Sequence, residues 1–182
     1  MDGYSKIKIE ITPSYVKLNG KSLDITLSGR GILIDLYHSY VKGYPKFFKM
    51  DTLSQLGFVG ADILFQEKNI EDKENCAIIF GNTCASIKND TDYLKTINSP
   101  EDYYPSPSIF VYTLPNIVTG EIAIKHKIYG ETCFYVLEQE EDLFEIAKQQ
   151  IEINNIPSAL VGWVECKEEN NFYANIKLLW KN

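Results

Sequence analysis

The longest informative stretch of the sequence is Pro105–Glu141, PSPSIFVYTLPNIVTGEIAIKHKIYGETCFYVLEQEE. Its first half predicts a long helix, roughly residues 108–127, that begins after a Pro-Ser-Pro entry suited to a first helical turn. Apolar residues lie on most faces of this helix, so we expect it to be the central buried element of the fold. Pro115 should kink it, because the proline ring clashes with the preceding turn and removes a donor.

The second half of the stretch predicts a turn, a strand and the start of another helix. Gly130 closes the turn, and Thr132–Leu137 is rich in residues that favour β-structure. The strand ends in an acidic run, Glu138 to Asp142, and an amphipathic helix over Leu143–Ile153 should follow. Negative charge is favourable at a helix N-terminus, so the acidic run has a structural explanation.

Upstream of this stretch the sequence predicts a second helix and a buried strand. Asp51–Phe65 keeps an apolar stripe at helical spacing, and Gly57 and Gly60 would let a neighbouring element approach closely. Cys76–Phe80 is an uninterrupted apolar run, typical of a strand buried on both faces. The loop that follows it, Gly81–Ser86, lies where open α/β sheets place their ligands.

The N-terminal segment is β-rich. Lys6–Ile11 alternates isoleucine with charged residues, which predicts a half-buried strand. Two further short strands are predicted over Tyr15–Leu18 and Leu23–Leu27, with Asn19-Gly20 between them as a hairpin signal.

The C-terminal segment completes an alternation of helices and strands. A short helix is expected over Asp90–Asn98, and strands over Ala159–Cys166 and Phe172–Trp180 should form a terminal hairpin. Buried strands that alternate with helices indicate an α/β fold, with a layered α-β-α sheet.

Composition narrows the classes of function. The 182 residues suit a single domain, and the formal net charge of −7 disfavours nucleic-acid and anionic-membrane partners. No apolar run approaches the roughly 20 residues needed to span a bilayer. The start of the chain has no apolar signal region, so we expect a cytoplasmic protein. The four cysteines, Cys76, Cys84, Cys133 and Cys166, lack metal-site spacing, so we expect neither a metal nor a cofactor.

Two segments of the chain resemble the β-ketoacyl synthases of the thiolase fold. The first is the helix with Asn116 and Gly120, followed by Tyr129-Gly130 and the predicted strand. The second is Phe47-Phe48-Lys49-Met50-Asp51 with Leu56–Ala61, which is similar to that family's Arg-Lys-Met-Asp helix. Together they cover about Lys46 to Cys166 in the right order. The resemblance implies a thiolase-like half, with residues 46–182 as that half and 1–45 as a β-rich lead-in to the same domain.

In the resembling family, the strand after the glycine delivers a nucleophilic cysteine into a strand-to-helix elbow. The matching position here holds Gln139. A glutamine cannot form a thioester, and glutamine stands at this position in chain-length-factor subunits. The chain also ends before the family's second half, which supplies the histidines. The resemblance therefore implies a catalytically silent accessory protein in a fatty-acid, polyketide or polyene pathway.

Other residues leave alternatives open. Cys84, in Asn-Thr-Cys-Ala-Ser, and Cys133, in the predicted strand, would be the candidate nucleophiles of a small acyltransferase or an acyl-ligand-binding module. His126 lies near the end of the predicted long helix, where a cation is favoured.

The resemblance also implies partners. In thiolase-fold proteins the strand before the elbow pairs with its counterpart in a second subunit. The matching strand consists of Thr132, Cys133, Phe134, Tyr135, Val136 and Leu137, and no proline or inward charge blunts it as an edge. We therefore expect a homodimer or a hetero-partner ketosynthase, and an acyl carrier protein as a further partner.

Overall fold

A seven-stranded mixed sheet runs through the computed structural model, which describes residues 3–101 and 103–181. Its strands are β1 (Tyr4–Ile11), β2 (Val16–Leu18), β3 (Lys21–Ser22), β4 (Ala77–Asn82), β5 (Thr132–Val136), β6 (Ser158–Glu168) and β7 (Asn171–Lys181). The order across the sheet is β3-β2-β1-β7-β6-β4-β5. Strand β4 is parallel to both β5 and β6, whereas the other neighbouring pairs are antiparallel.

Helices cover both faces of this sheet. They are α1 (Gly31–Leu36), α2 (Thr52–Glu67), α3 (Ile87–Lys95), α4 (Pro107–Val111), α5 (Ile117–His126) and α6 (Glu140–Ile153). Short 3-10 helices occupy Pro45–Lys49 and Lys73–Asn75, and α1 continues into a π-helix over Tyr37–Val41. On one face of the sheet, buried residues of α1, α2 and α5 form an apolar core with the strands. On the opposite face, buried residues of α6 form a second apolar core with the strands. The predicted layered α-β-α arrangement is therefore confirmed.

Helix α2 is the central buried element. Every residue from Thr52 to Phe65 is buried, although the sequence predicted a single apolar stripe. Asp51 caps the helix, because its carboxylate accepts hydrogen bonds from the backbone N–H groups of Leu53 and Ser54, both at 3.2 Å.

Two glycines of α2 permit this central position. A Cβ atom on Gly57 would lie 2.4 Å from Val118 of α5, and one on Gly60 would lie 2.6 Å from Ile176 of β7. Both distances are too short for real carbon atoms. The close helix packing predicted at Gly57 and Gly60 is confirmed, with α5 on one side and the sheet on the other.

The single long helix predicted over residues 108–127 is wrong. The chain forms the short helix α4 and then α5, and a turn that contains Pro115 separates them. The proline ring cannot continue a helical hydrogen-bond ladder, so the break is complete where the sequence predicted only a kink. The expected burial is also wrong, since Phe110 is 51% exposed, Leu114 50% and Ile124 65%.

Helix α5 buries only one face. Val118 and Ile122 are fully buried, whereas Ile117 is half-buried. The expectation that Asn116 and Gly120 belong to a helix buried on all sides is corrected accordingly. Asn116 is the exposed N-cap of α5, and Gly120 is half-buried, with open space of at least 4 Å around the point where a Cβ atom would lie.

The N-terminal predictions are confirmed in part. In β1, Ile9 and Ile11 are buried while Lys6 and Lys8 are exposed, as the alternation indicated. The strand predicted over Leu23–Leu27 is absent, because β3 contains only Lys21–Ser22. The backbone N–H groups of Thr26 and Leu27 instead donate to the Asp35 carboxylate, at 2.8 Å each.

The C-terminal hairpin is confirmed. β6 and β7 pair in antiparallel register from Ser158 with Trp180 to Glu168 with Asn171, and the register shifts between Cys166 and Glu168. β7 also pairs with β1 along the whole length of β1, so the N-terminal strand belongs to the same sheet as the hairpin.

Candidate functional site

The carboxyl ends of three parallel strands meet at one edge of the sheet. β4 ends at Asn82, and the backbone N–H of Leu137, just past β5, donates to the Asn82 carbonyl at 2.9 Å. The turns after β4 and β5 therefore lie side by side, next to the end of β6. In open α/β sheets this edge is the usual place for a functional site.

The turn from β5 into α6 is the strand-to-helix elbow that the sequence predicted. Gln139 is the N-cap of α6, with extended backbone angles of φ −135° and ψ 146°. Its side chain is exposed and makes no capping hydrogen bond. An amide placed in this way can donate or accept a hydrogen bond, but it offers no nucleophile.

The residue after it, Glu140, joins α6 to the sheet. Its Oε1 atom accepts a hydrogen bond from the Asn175 side chain of β7. Burial raises the pKa of Glu140, although the hydrogen bond from Asn175 opposes this. Burial likewise raises the pKa of Tyr173, which the negative charge of Glu140 raises further. The three residues form a half-buried polar group beneath the helix N-terminus.

A second polar group lies after β4 and is organised by Glu165 of β6. The Cys84 thiol donates to Glu165 Oε1 at 2.8 Å, and the Thr83 hydroxyl donates to Oε2 at 2.8 Å. The Thr83 backbone N–H also donates to Oε2, at 3.0 Å. The Asn82 side chain closes the turn by accepting from the N–H groups of Cys84 and Ala85.

These surroundings make Cys84 a poor nucleophile. Burial, together with the hydrogen bond to Glu165 and its negative charge, raises the pKa of the Cys84 thiol to about 11. A reactive cysteine needs the opposite environment, with a cation or a helix N-terminus to stabilise the thiolate. Cys84 is therefore a neutral hydrogen-bond donor near pH 7.

The other cysteines are no better placed for nucleophilic chemistry. Cys133 is half-buried in β5, and burial raises its pKa to about 11. Burial also raises the pKa of Cys76 to about 11 and that of Cys166 to about 12. All four thiols are free.

Both histidines have partners other than a cysteine in the described part of the chain. His126 is 3.0 Å from the Asp62 carboxylate of α2 and packs against the Phe65 ring. His38 contacts the rings of Tyr37 and Phe48. The acid–base partner that a cysteine nucleophile would need is therefore not provided by these two residues.

The sequence did not reveal Glu165 or Asn175 as members of the site. One signal was present, since Glu165 is a carboxylate inside an otherwise apolar strand, Ala159–Cys166. A charged residue at such a position is buried only when it has partners. Thr83 and Cys84 are those partners. They are more than 80 residues from Glu165 in the sequence, so no local pattern could predict these contacts.

Strand β5 forms an edge of the sheet, as predicted for the interface strand. Thr132 and Val136 are exposed, while Cys133, Phe134 and Tyr135 are half-buried. Leu137 lies just outside the strand, which ends at Val136. The Glu131 carbonyl and the Leu137 N–H bond to β4, so alternation along the strand turns the N–H groups of Thr132, Phe134 and Val136 outward.

Two grooves on the described surface are open and lined largely by polar residues. One, of about 520 Å³, lies at the opposite end of the sheet beside Lys68 and Trp180. The other, of about 330 Å³, lies between α3 and the β6–β7 turn beside Lys88 and Lys167. Within residues 3–101 and 103–181, no group of three or more His, Cys, Asp or Glu could hold a metal ion. No helix in those ranges is long and apolar enough to cross a membrane.

Comparisons with known proteins yield a structural likeness but no sequence relative. No protein-family model matches the sequence, and no curated protein does so. A solved complex of a ketosynthase with its chain length factor from Xenorhabdus doucetiae superimposes with a TM-score of 0.65 at 13% identity. That match covers 98% of this chain and 77% of the other chain.

Two further solved structures give the same TM-score of 0.65. The ishigamide ketosynthase/chain length factor is 15% identical, and the match covers 97% of this chain and 61% of the other. A type II polyketide acyl-carrier protein in complex with its ketosynthase gives 12% identity and covers 80% and 50%. The chain thus spans 50% to 77% of the length of these proteins, and it has the thiolase-type fold of the β-ketoacyl synthases and chain length factors.

Proposed function

We propose that the chain is a ketosynthase-like accessory protein of a fatty-acid, polyketide or polyene pathway, without condensing activity of its own. The observation that carries the proposal is the elbow between β5 and α6, where the side chain of Gln139 is exposed. Condensation through a thioester intermediate requires a thiolate at the reacting position, and the amide of glutamine cannot supply one.

No other thiol compensates for Gln139. Cys84 is held as a donor to Glu165, and Cys133 is half-buried within β5. The raised pKa of each, to about 11, leaves very little thiolate at neutral pH. These properties support an accessory role over that of a small acyltransferase. The open, polar grooves likewise offer little to an acyl chain, which supports the same choice over an acyl-ligand-binding module.

The partner in this proposal is a ketosynthase, which would pair along β5. Unpaired outward N–H groups on an exposed edge strand favour pairing with another chain. Two of the similar structures join a ketosynthase with a chain length factor, and a third joins a ketosynthase with an acyl-carrier protein. We propose that a second copy of this chain takes the ketosynthase's place in the purified protein, and that an acyl carrier protein is a further partner.

Intact-mass analysis after incubation with an acyl thioester tests the absence of a nucleophile. We expect no covalent adduct at neutral pH. An acyl adduct that disappears in Cys84→Ser would instead establish the small acyltransferase, and Cys133→Ser provides the matched control. Co-expression with a ketosynthase encoded beside this protein tests the partner, since we expect the two chains to purify together.

A further inference from the structure

One face of the sheet bears a cluster of lysines on strands far from β5. The register places Lys8 directly opposite Lys177 of β7, and Glu10 opposite both Lys17 of β2 and Asn175. Because side chains alternate along strands, Lys6, Lys8, Lys17 and Lys177 project from the same face. We call these four residues the lysine face. The opposite face of the same strands holds Ile9, Ile11 and Ile176, which are fully buried.

The local charge is opposite to that of the whole chain. The full sequence has 25 acidic and 18 basic residues, for a formal net charge of −7. The positions of β1, β2 and β7 on this side of the sheet hold five lysines, namely the four of the lysine face and Lys181 opposite Tyr4, with Glu10 as the one carboxylate among them. The Glu10 carboxylate accepts a hydrogen bond from the Tyr15 hydroxyl. Glu140 of α6 lies next to the lysine face, where its carboxylate accepts a hydrogen bond from the Asn175 side chain.

The lysines are not neutralised by ion pairs within the described chain. None of the four forms a salt bridge with a described residue. Lys17 lies over the Tyr15 ring at 4.5 Å and Lys177 over the Phe144 ring at 3.1 Å, so both ammonium groups are held in place. Lys6 and Lys8 are exposed.

This arrangement is unfavourable for the isolated fold. Like charges directly opposite each other on neighbouring strands destabilise a sheet, and Lys8 and Lys177 have that relationship. Burial lowers the pKa of Lys177, and the charges of Lys6 and Lys8 lower it further, although the negative charge of Glu140 opposes this shift. An anionic partner would relieve this repulsion.

The geometry indicates an acidic helix. Neighbouring strands are about 4.8 Å apart and alternate residues along a strand about 6.6 Å apart, so the backbone positions of Lys6, Lys8 and Lys177 have these spacings. Carboxylates at i and i+4 on a helix have Cβ atoms roughly 5–6 Å apart, which is similar to these spacings. A nucleic acid fits less well, because its dense and extended charge would be repelled by the acidic remainder of the chain.

We infer that the lysine face docks an acidic helix of a partner protein. β5 lies at the other end of the sheet, so this surface and the β5 edge can be occupied at once. The inference does not depend on the proposed ketosynthase-like function, because it rests on the lysines and their register.

Binding of a helical peptide to the purified full chain tests the inference. The peptide has about 16 residues, or roughly 24 Å of helix, with glutamates at i, i+4 spacing on one face. A peptide with the same composition in scrambled order and a single-stranded oligonucleotide of similar net charge serve as controls. We expect the patterned peptide to bind most tightly and to weaken as salt is raised.

Substitution of Lys8 distinguishes the lysine face from other surfaces. Lys8→Glu places a carboxylate opposite Lys177, so the fold should be retained or slightly stabilised while affinity for the peptide falls about tenfold or more. Lys21→Glu makes the same charge change on β3, opposite Leu18 and therefore on the other face, and should change affinity less than about twofold.

Three results would overturn the inference. The first is an absence of binding by the patterned peptide. The second is equal loss of affinity in Lys8→Glu and Lys21→Glu. The third is tighter binding of the oligonucleotide than of the peptide, which would assign the lysines to a nucleic-acid partner.

Discussion

The Cys84 thiol donates a 2.8 Å hydrogen bond to the carboxyl group of Glu165, across the carboxyl ends of β4 and β6. A carboxylate beside a thiol has the opposite effect to the histidine or lysine beside a reactive cysteine, because it disfavours the thiolate. Cys84 stands in a loop where ligands commonly bind, yet its neighbour keeps it protonated.

Alkylation of Cys84 should therefore be slow and strongly dependent on pH. The rate should still be rising at pH 9.0, the ordinary pKa of the group, because the pKa of Cys84 is raised to about 11. Glu165→Gln removes the negative charge, so the rate at pH 8 should increase by up to about tenfold for each unit by which the pKa falls. Mass spectrometry of the alkylated peptides resolves the four cysteines. A plateau below pH 8 in the unmodified protein would contradict this account of the thiol.

The apolar residues of α5 should differ sharply in their contribution to stability. Ile122 is fully buried, so Ile122→Ala should cost about 2–5 kcal/mol of unfolding free energy. Ile124, two residues along the same helix, is 65% exposed, and Ile124→Ala should change stability by no more than about 0.5 kcal/mol. Denaturant melts of the two variants provide the comparison. Equal losses would mean that α5 is buried on all sides after all.

Asp62 of α2 should be among the most important charged residues for stability. Its buried carboxylate is 2.9 Å from Lys125 and 3.0 Å from His126, both on α5. Burial opposes ionisation, but the hydrogen bonds from His126 and Lys125 outweigh it, and the pKa of Asp62 lies below its ordinary value. Asp62→Asn should cost about 1–3 kcal/mol, because the half-buried Lys125 loses its charged hydrogen-bond partner.

Low pH should remove the stability that the Asp62 carboxylate contributes. A carboxyl group with a lowered pKa in the folded state contributes its stability in full above its unfolded pKa of about 3.9. The difference in stability between the parent protein and Asp62→Asn should therefore shrink as the pH falls below about 4. Asp92→Asn is the matched control, because Asp92 also lies between two lysines but on a more exposed surface of α3. It should cost no more than about 1 kcal/mol.

A proline in β5 should separate edge pairing from folding. Val136 is 56% exposed and its N–H points away from β4, so Val136→Pro removes an outward donor while it spares the bonds to β4. We expect the purified homodimer to become monomeric, as measured by light scattering, with the circular dichroism spectrum retained. Val136→Thr keeps the N–H group and should remain dimeric. A parent protein that is monomeric at micromolar concentration would exclude the homodimer.

Hydrophobic periodicity predicted the strands in which each face keeps the same environment along its whole length. The alternation in Lys6–Ile11 and the apolar run Cys76–Phe80 both identified strands, because burial by a sheet produces those patterns directly. Asp51 and the apolar stripe after it likewise located α2. The full burial of that helix could not be seen, since its polar residues Gln55 and Asp62 bond to Arg30 and Lys125, which are distant in the sequence.

The long helix failed for a different reason. Apolar residues such as Phe110 and Leu114 indicate burial only if some element covers them, and no pattern within one chain states whether it does. Pro115 indicates a disruption, but its effect depends on whether neighbouring packing holds the two halves in line.

The sequence predicted where the candidate site lies, but it did not predict which side chains contact one another there. The junction of a strand with a helix near Gln139 follows from the local pattern of a β-rich run and an acidic helix start, whereas the importance given to Gln139 comes from the resemblance to the β-ketoacyl synthases. The pairing of Cys84 with Glu165 joins residues 81 positions apart, and only the parallel order of β4 and β6 brings them together.

Turnover of malonyl and acyl carrier-protein thioesters by the purified chain would show whether the protein condenses acyl groups by itself. We expect no condensation product from the chain alone, because the elbow offers the amide of Gln139 and the thiols of Cys84 and Cys133 stay protonated. Condensation by the pure protein, particularly if Gln139→Ala abolished it, would contradict the assignment of a silent accessory subunit.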